Sequence, residues 1–398
     1  MKTRKNKRGV IIVKERKQAK IITDEELVER FNQASNTQEK LQYFSIIQDY
    51  NVQMELLSSV PSNEKYKFIG KVKSTQAIAT ALNGLADEEA RSKTFSFIAK
   101  QFKGNSKGLL EILQAIDFRV VLPESLLTFR INNLNDMDID KLIKLQENVE
   151  NSSAIKFKVN EKEAEDVTYT FPELSAITAK ITELTAGIPE DLDEADKFYT
   201  IYTRIINCIT YNHDTISKSD EVFAERDRKL SRSFAGGESV IDILKSSNQK
   251  VDEIRKDSAG LYGGLVDGKA ICVGYATILH EALKRVGLKS MIVTGTSIED
   301  IESGKLFRSG HAWNQVQIDG EWYNTDSTFD ASTVQRTGDI SCMLRADNHF
   351  NPHARFTRNT KEAHICKKDY PFDRWHFMSI YNQNRWWRGL GGGTKYER

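Results

Sequence analysis

The segment GHAWNQVQIDGEWYNTDSTFD (310–330) most constrains the fold, because it reads as an antiparallel hairpin. Val316 and Ile318 alternate with polar neighbours, Asp319-Gly320 is a strong two-residue turn signal, and Trp322 and Tyr323 begin the return strand. With a two-residue turn, Trp313 faces Asp326 and His311 faces Thr328. His311 and Asp326 then share one face as diagonal neighbours, roughly 7–8 Å apart at the backbone. A three-residue loop would reverse that parity and separate them. A histidine oriented by an aspartate suggests catalysis only if a nucleophile joins them.

The candidate lies in SAGLYGGLVDGKAICVGYATILHEALKRVGLKSMIVTG (258–295). From Cys272 an amphipathic helix is expected, with Val273, Ile278, Leu279, Ala282, Leu283 and Val286 as its apolar positions. Gly287 suits its C′ position, and MIVTG (291–295) reads as a buried strand. A cysteine in the first turn of a helix meets free N–H groups and the positive end of the dipole, and both favour the thiolate. The same N–H groups can donate to an oxyanion. Gly263, Gly264 and Gly268 are expected to let a substrate backbone approach the cysteine closely. Alone, a cysteine or a strand histidine is more often a packing residue. Together, Cys272, His311 and Asp326 fill the nucleophile, base and orienter roles of thiol acyl transfer.

Around this segment the chain divides into regions. Residues 1–21 read as a basic flexible tail, MKTRKNKRGVIIVKERK, whose apolar run is too short for a signal-peptide core. Residues 22–150 read as an irregular helical domain that opens with a capping box at Thr23 and Glu26. Helical patterns recur near 41–47, 67–72, 95–102, 109–116 and 140–145, without a fixed period. In 151–190, AIKFKV and DVTYTF alternate as a small hairpin that marks a boundary. The catalytic domain is expected over 191–380, with a helix over about 191–208, a charged insertion at 213–259 and a flexible tail at 381–398.

The formal net charge of +1 argues against nucleic acid as a partner. No run of about 20 apolar residues offers a membrane span. The four cysteines, Cys208, Cys272, Cys342 and Cys366, are scattered without a CxxC pair, which suits reduced thiols in the cytoplasm. Cys342, His349, His353, His364 and Cys366 match no common structural zinc spacing, and there is no acidic calcium loop, so neither a metal nor a cofactor is expected.

GKAICVGYA, the hairpin segment and the upstream INCITYN together resemble the transglutaminase-like superfamily, over roughly residues 190–370. SCMLRADNHFNPH (341–353) is similar to the family's segment after the triad. The resemblance implies an α+β fold: a papain-like core, with a nucleophile helix packed on an antiparallel sheet, preceded here by an all-helical N-terminal domain. It implies Cys272 as nucleophile, His311 as general base and acid, and Asp326 as the residue that orients the histidine. By analogy with members that use an aromatic donor, Tyr211 is a candidate for the oxyanion site, with packing as its ordinary alternative. Peptide:N-glycanases share the triad but carry paired CxxC motifs that are absent here.

The implied function is cysteine-dependent hydrolysis or acyl transfer at amide bonds of a protein or peptide substrate, with protease or amidase activity favoured. Transglutaminase crosslinking of Gln to Lys or other amines is the first alternative. A non-catalytic scaffold, with the N-terminal domain as a protein-binding surface, is the second. The 213–259 insertion reads as a tolerated surface element or a lid.

Overall fold

A computed structural model describes residues 3–5, 11–15, 18–102, 106–131, 134, 137–159, 167–233, 239–300, 306–337, 339–350, 354–358 and 360–384. The chain forms two compact units. The first holds residues 1–131 and 140–156, the second 132–139 and 157–398. Helices dominate both, so the chain is mixed α+β with small sheets.

The first unit begins with β1 (Thr3–Lys5), β2 (Ile11–Glu15) and β3 (Gln18–Ile21), which pair antiparallel in sequence order. The stretch expected as a flexible tail therefore contains a three-stranded meander. Seven helices follow: α1 (Asp24–Gln33), α2 (Thr37–Ile46), α3 (Tyr50–Ser58), α4 (Lys65–Ile69), α5 (Thr75–Asn83), α6 (Glu88–Ala99) and α7 (Ser106–Ala115). Then come β4 (Thr128–Ile131) and α8 (Ile139–Asn148). Most begin at a polar cap. Thr23, Asn36, Ser74 and Asp87 each accept an N–H from the first turn of the helix they precede, which satisfies a donor the helix cannot. Phe31, Phe44 and Phe68 are buried together, with ring centroids 5.3–6.3 Å apart and mostly edge to face.

In the second unit, β5 (Lys156–Val159) pairs with β6 (Thr168–Tyr169) through Phe157↔Tyr169, as the alternation at the expected boundary suggested. Then come α9 (Phe171–Thr185), α10 (Glu194–Cys208), β7 (Thr210–Tyr211), α11 (His213–Ser233) and α12 (Val240–Ala259). They lead to α13 (Leu261–Leu265), β8 (Lys269–Ala270) and α14 (Cys272–Arg285). The chain continues through β9 (Ser290–Asp300), β10 (Leu306–Ile318), β11 (Glu321–Thr325), α15 (Ser327–Thr337), β12 (Ala354–Arg358) and α16 (Arg374–Asn384).

The last four strands form an antiparallel sheet in the order β11-β10-β9-β12. Helix α14 packs on one face through Ala276, which is buried against Ile292 and Ala312. The opposite face buries Trp313, Val293, Cys342 and Phe350 together. Helix α14 ends in a Schellman motif. Gly287 takes φ +83°, its N–H reaches Lys284 O, and the Leu288 N–H reaches Leu283 O.

Helix α16 crosses the expected start of the C-terminal tail. Its Asn384 is buried, accepts from Arg204 Nε at 3.1 Å and donates to Thr203 Oγ1 at 3.1 Å, so residues 381–384 belong to the packed unit. The rest of that tail, with Trp386 and Trp387, lies outside the described residues. No helix among the described residues is long and apolar enough to cross a membrane.

Candidate active site

Cys272 is the first residue of α14 and is only partly buried. Three contacts fix the chain around it. The Ile271 N–H donates to Ser258 O at 2.9 Å, and β8 pairs parallel with β7 through Tyr211↔Ala270. Tyr275, one turn into the helix, donates its hydroxyl to Ile209 O at 2.7 Å. The ITYN segment and the end of α12 thus form the frame that holds Cys272.

Two of the nearby glycines, Gly263 and Gly264, are needed by the packing of that frame. A Cβ on Gly263 would come within 2.2 Å of Asp257 O, and one on Gly264 within 2.2 Å of Ile278 Cδ1. Gly268 holds φ +68° in the turn before β8. The expected access for a substrate backbone is therefore taken up by internal packing. At Gly274 inside α14, a Cβ would meet Ser258 O at 2.4 Å. Gly274→Ala gains about 1 kcal/mol of helix propensity. It forces a backbone shift that costs about 1–3 kcal/mol or more. The expected net result is a lower Tm by differential scanning calorimetry, although most Gly→Ala changes inside helices stabilise.

The hairpin has the two-residue turn. Asp319 and Gly320 take φ 51° and 80°, and the register runs from Ile318↔Glu321 to Asn314↔Thr325. Pairing then stops, because the chain leaves the sheet at Asp326 and enters α15. The expected Thr328 partner of His311 is therefore in a helix. Asn324 exchanges both backbone hydrogen bonds with Arg345, so the even-numbered residues of β10 turn their N–H groups toward β11. Beyond the end of β11, the Ala312 N–H donates to the Cys272 sulfur.

His311 and Asp326 meet as the shared face required. His311 Nε2 lies 2.6 Å from Asp326 Oδ2, with the two side chains 8% and 1% exposed. The His311 ring is also hydrogen-bonded to the Cys272 thiol. Trp313 stacks beside the ring at 6.1 Å, and Phe329 covers it edge-on at 5.2 Å. Asp326 is held in turn: its Oδ1 accepts the Thr328 and Phe329 N–H groups at 2.9 and 3.3 Å, capping α15, and its own N–H donates to Cys342 O at 2.9 Å.

The electrostatics follow from these contacts. Burial pushes the Cys272 thiol up, but the hydrogen bond and charge of His311, with the Ala312 N–H, outweigh it and hold the thiol below its ordinary value. Burial pushes His311 down, yet the charge and hydrogen bond of Asp326, with Cys272 beyond, raise it to about 10. The two shifts describe one pair, a thiolate beside an imidazolium, oriented by a carboxylate.

Two further residues behind this pair are not visible in the sequence motifs. Asp330 is fully buried, and burial pushes its carboxyl up to about 7. It accepts from Tyr202 Oη at 2.7 Å and from the Ser341 and Cys342 N–H groups at 2.9 and 3.0 Å. The sequence signal for Asp330 is its spacing, one helical turn after Asp326 in DSTFD. Tyr202 sits on a stripe that reads as ordinary core.

Tyr211 lies in β7 beside Ala270 and is half-buried, its ring 4.9 Å from that of His213. The cysteines and histidines of the 342–366 segment have separate packing roles. Cys342 lies in the apolar core, Cys366 accepts from Gln315 Nε2 at 3.3 Å, and His364 stacks on Trp322. His353 lies outside the described residues. Among the described residues, no group of three or more His, Cys, Asp or Glu side chains is placed to hold a metal.

Among known proteins, the model of the transglutaminase-like superfamily matches residues 240–327. That span includes α12, so residues 240–259 of the expected insertion fall inside the matched segment. No curated protein matches the chain. A solved structure described as the crystal structure of a TGase aligns at 19% identity, over 39% of this chain and 32% of that one, with a TM-score of 0.24. The chain thus spans about a third of that protein's length. The segment that carries Cys272, His311 and Asp326 is a transglutaminase-like superfamily match.

Proposed function

We propose that the protein is a thiol enzyme that cleaves amide bonds of a protein or peptide substrate by way of a thioester. The relay from Cys272 through His311 to Asp326 carries this reading, because it supports a thiolate at neutral pH with a proton donor beside it. The Cys272 sulfur attacks the carbonyl carbon, and the Cys272 backbone N–H at the helix start is the candidate donor for the oxyanion. His311 passes its proton to the amine nitrogen, the C–N bond breaks, and the acyl group remains on sulfur. Water then gives a proton to His311 and its oxygen attacks the thioester. The thiolate leaves, and the imidazolium is restored. An amine in place of water would give transamidation by the same steps. We assign hydrolysis as the main outcome and the cytoplasm as the compartment, the latter on four scattered cysteines without a CxxC pair.

Incubation of the protein with glutamine-containing peptides, with and without a primary amine, tests this. Mass spectrometry separates chain cleavage, side-chain deamidation and amine adducts. Cleavage or deamidation that vanishes in Cys272→Ala is expected. Amine adducts in place of both would make the enzyme a transamidase, and products that persist in Cys272→Ala would overturn the proposal. The rate is expected to fall as pH rises through about 10, where His311 loses the proton it gives to the amine. On the acid side it is expected to persist below the ordinary thiol range, because the Cys272 thiol titrates low.

A further inference from the structure

We propose that Asp330 is a positioning residue for the triad, which it holds in register through the Ser341–Cys342 backbone and Asp326. The proposal rests on the reading of Cys272, His311 and Asp326 given above. Asp330 lies one helical turn after Asp326, and its N–H reaches Asp326 O at 3.3 Å. Its Oδ1 accepts the N–H groups of both Ser341 and Cys342, and Tyr202 of α10 donates to its Oδ2.

The Cys342 peptide is the bridge. Its N–H is held by Asp330, and its carbonyl holds the Asp326 N–H at 2.9 Å. The Cys342 side chain is buried with Trp313, Val293 and Phe350, which prevents this strap from sliding. Asp326 is therefore fixed at its carbonyl, its N–H and one carboxylate oxygen, and its other oxygen is left for His311.

A buried carboxylate is costly unless donors surround it, and removing one member of such a cluster leaves the others unsatisfied. Packing alone is served as well by an apolar side chain of similar volume. Three donors converging on Asp330 instead tie α10, α15 and the 341–342 strap to the residue that aims the histidine. A carboxylate accepts from all three. An amide at the same place keeps one oxygen for the strap and turns its NH2 toward the Tyr202 oxygen, so the shape survives and the charge does not.

The test compares Asp330→Ala with Asp330→Asn in the full chain. Two readouts need no substrate: the His311 titration midpoint by 15N NMR, and the rate of Cys272 alkylation by iodoacetamide at about pH 6, where an ordinary thiol is almost wholly protonated. In the Ala variant the midpoint is expected to fall from about 10 toward the ordinary ~6.5, and alkylation to drop about tenfold or more. The Asn variant is expected to stay within about threefold of wild type in alkylation, because the strap keeps its acceptor. A purely structural role would lower Tm in both variants without moving the midpoint.

Should Asp330→Ala fail to fold, Asp330→Leu takes its place, because it fills the volume but cannot accept from the strap, and the same fall in midpoint and labelling is expected. A folded Ala variant, or in its place a folded Asp330→Leu, with wild-type midpoint and labelling would overturn the positioning role alone. A wild-type His311 that titrates near the ordinary value would overturn both this role and the triad beneath it.

Discussion

Replacing His311 with alanine is expected to silence Cys272. In the native site, burial opposes the thiolate, and His311 supplies the larger share of what overcomes it. Without the ring, only the Ala312 N–H remains to offset burial, so the thiol returns to its ordinary range or above. At pH 6 a thiol of pKa ~8.5 is about 0.3% thiolate, so the reactive population falls by up to about 300-fold. A more basic thiolate is a better nucleophile, which returns part of that and leaves a net loss in alkylation rate of about tenfold or more. Turnover is expected to fall further, by about 10²–10⁴ beyond the loss of thiolate, because the proton donor and acceptor go together. Rates of Cys272 alkylation and of substrate cleavage, measured side by side in His311→Ala, check both numbers. An alkylation rate unchanged at pH 6 would mean that His311 does not support the thiolate.

Replacing Asp326 with alanine removes two things at once. The charge that raises His311 disappears, and burial then pushes the ring below its ordinary value, so it is neutral at pH 7. The cap of α15 is also lost, because Oδ1 no longer receives the Thr328 and Phe329 N–H groups, at a cost of about 1 kcal/mol. Activity is expected to fall by about 10²–10⁴, the range seen when an orienting carboxylate is lost. Asp326→Asn separates the two roles. Its oxygen still accepts, so Tm is expected to recover more than activity. Equal recovery of both would show that the charge of Asp326 matters little to the histidine.

The site was legible largely because its parts lie in short local patterns. Asp319-Gly320 fixes the turn, the turn sets the register of β10 on β11, and Asp326 follows directly after the last paired residue, Thr325, where it reaches His311. Cys272 at the start of α14 follows from apolar spacing and from Gly287 at the far end. What the sequence hid depends on tertiary contact. Helix α15 was not foreseen, although Asp326 followed by Ser327 and Thr328 is a cap signal, because the strand reading took the same residues first. The glycines near Cys272 invited a substrate reading. Their close neighbours are Asp257, Ser258 and Ile278, the last two more than ten residues in sequence from the glycines they meet. Residues 213–259 read as an insertion because they are longer than the resemblance implies between the ITYN segment and the cysteine. Yet Ser258 in α12 accepts the Ile271 N–H next to the nucleophile, and it also binds Asn212 through its hydroxyl at 2.8 Å. The N-terminal helices were visible one at a time from caps and apolar spacing, whereas the way they pack together was not.

The central claim is that Cys272 and His311 form a thiolate–imidazolium pair. Site-resolved alkylation by iodoacetamide across pH 4 to 10, read by peptide mass spectrometry, tests it most directly, with Cys208, Cys342 and Cys366 of the same chain as internal references. Cys272 is expected to label readily at about pH 6, where an ordinary thiol remains almost unreactive. Cys342, buried and pushed far up, should stay inert throughout. Labelling of Cys272 that begins only as pH passes about 8.5, as for an ordinary thiol, would contradict the pair and with it the proposed chemistry.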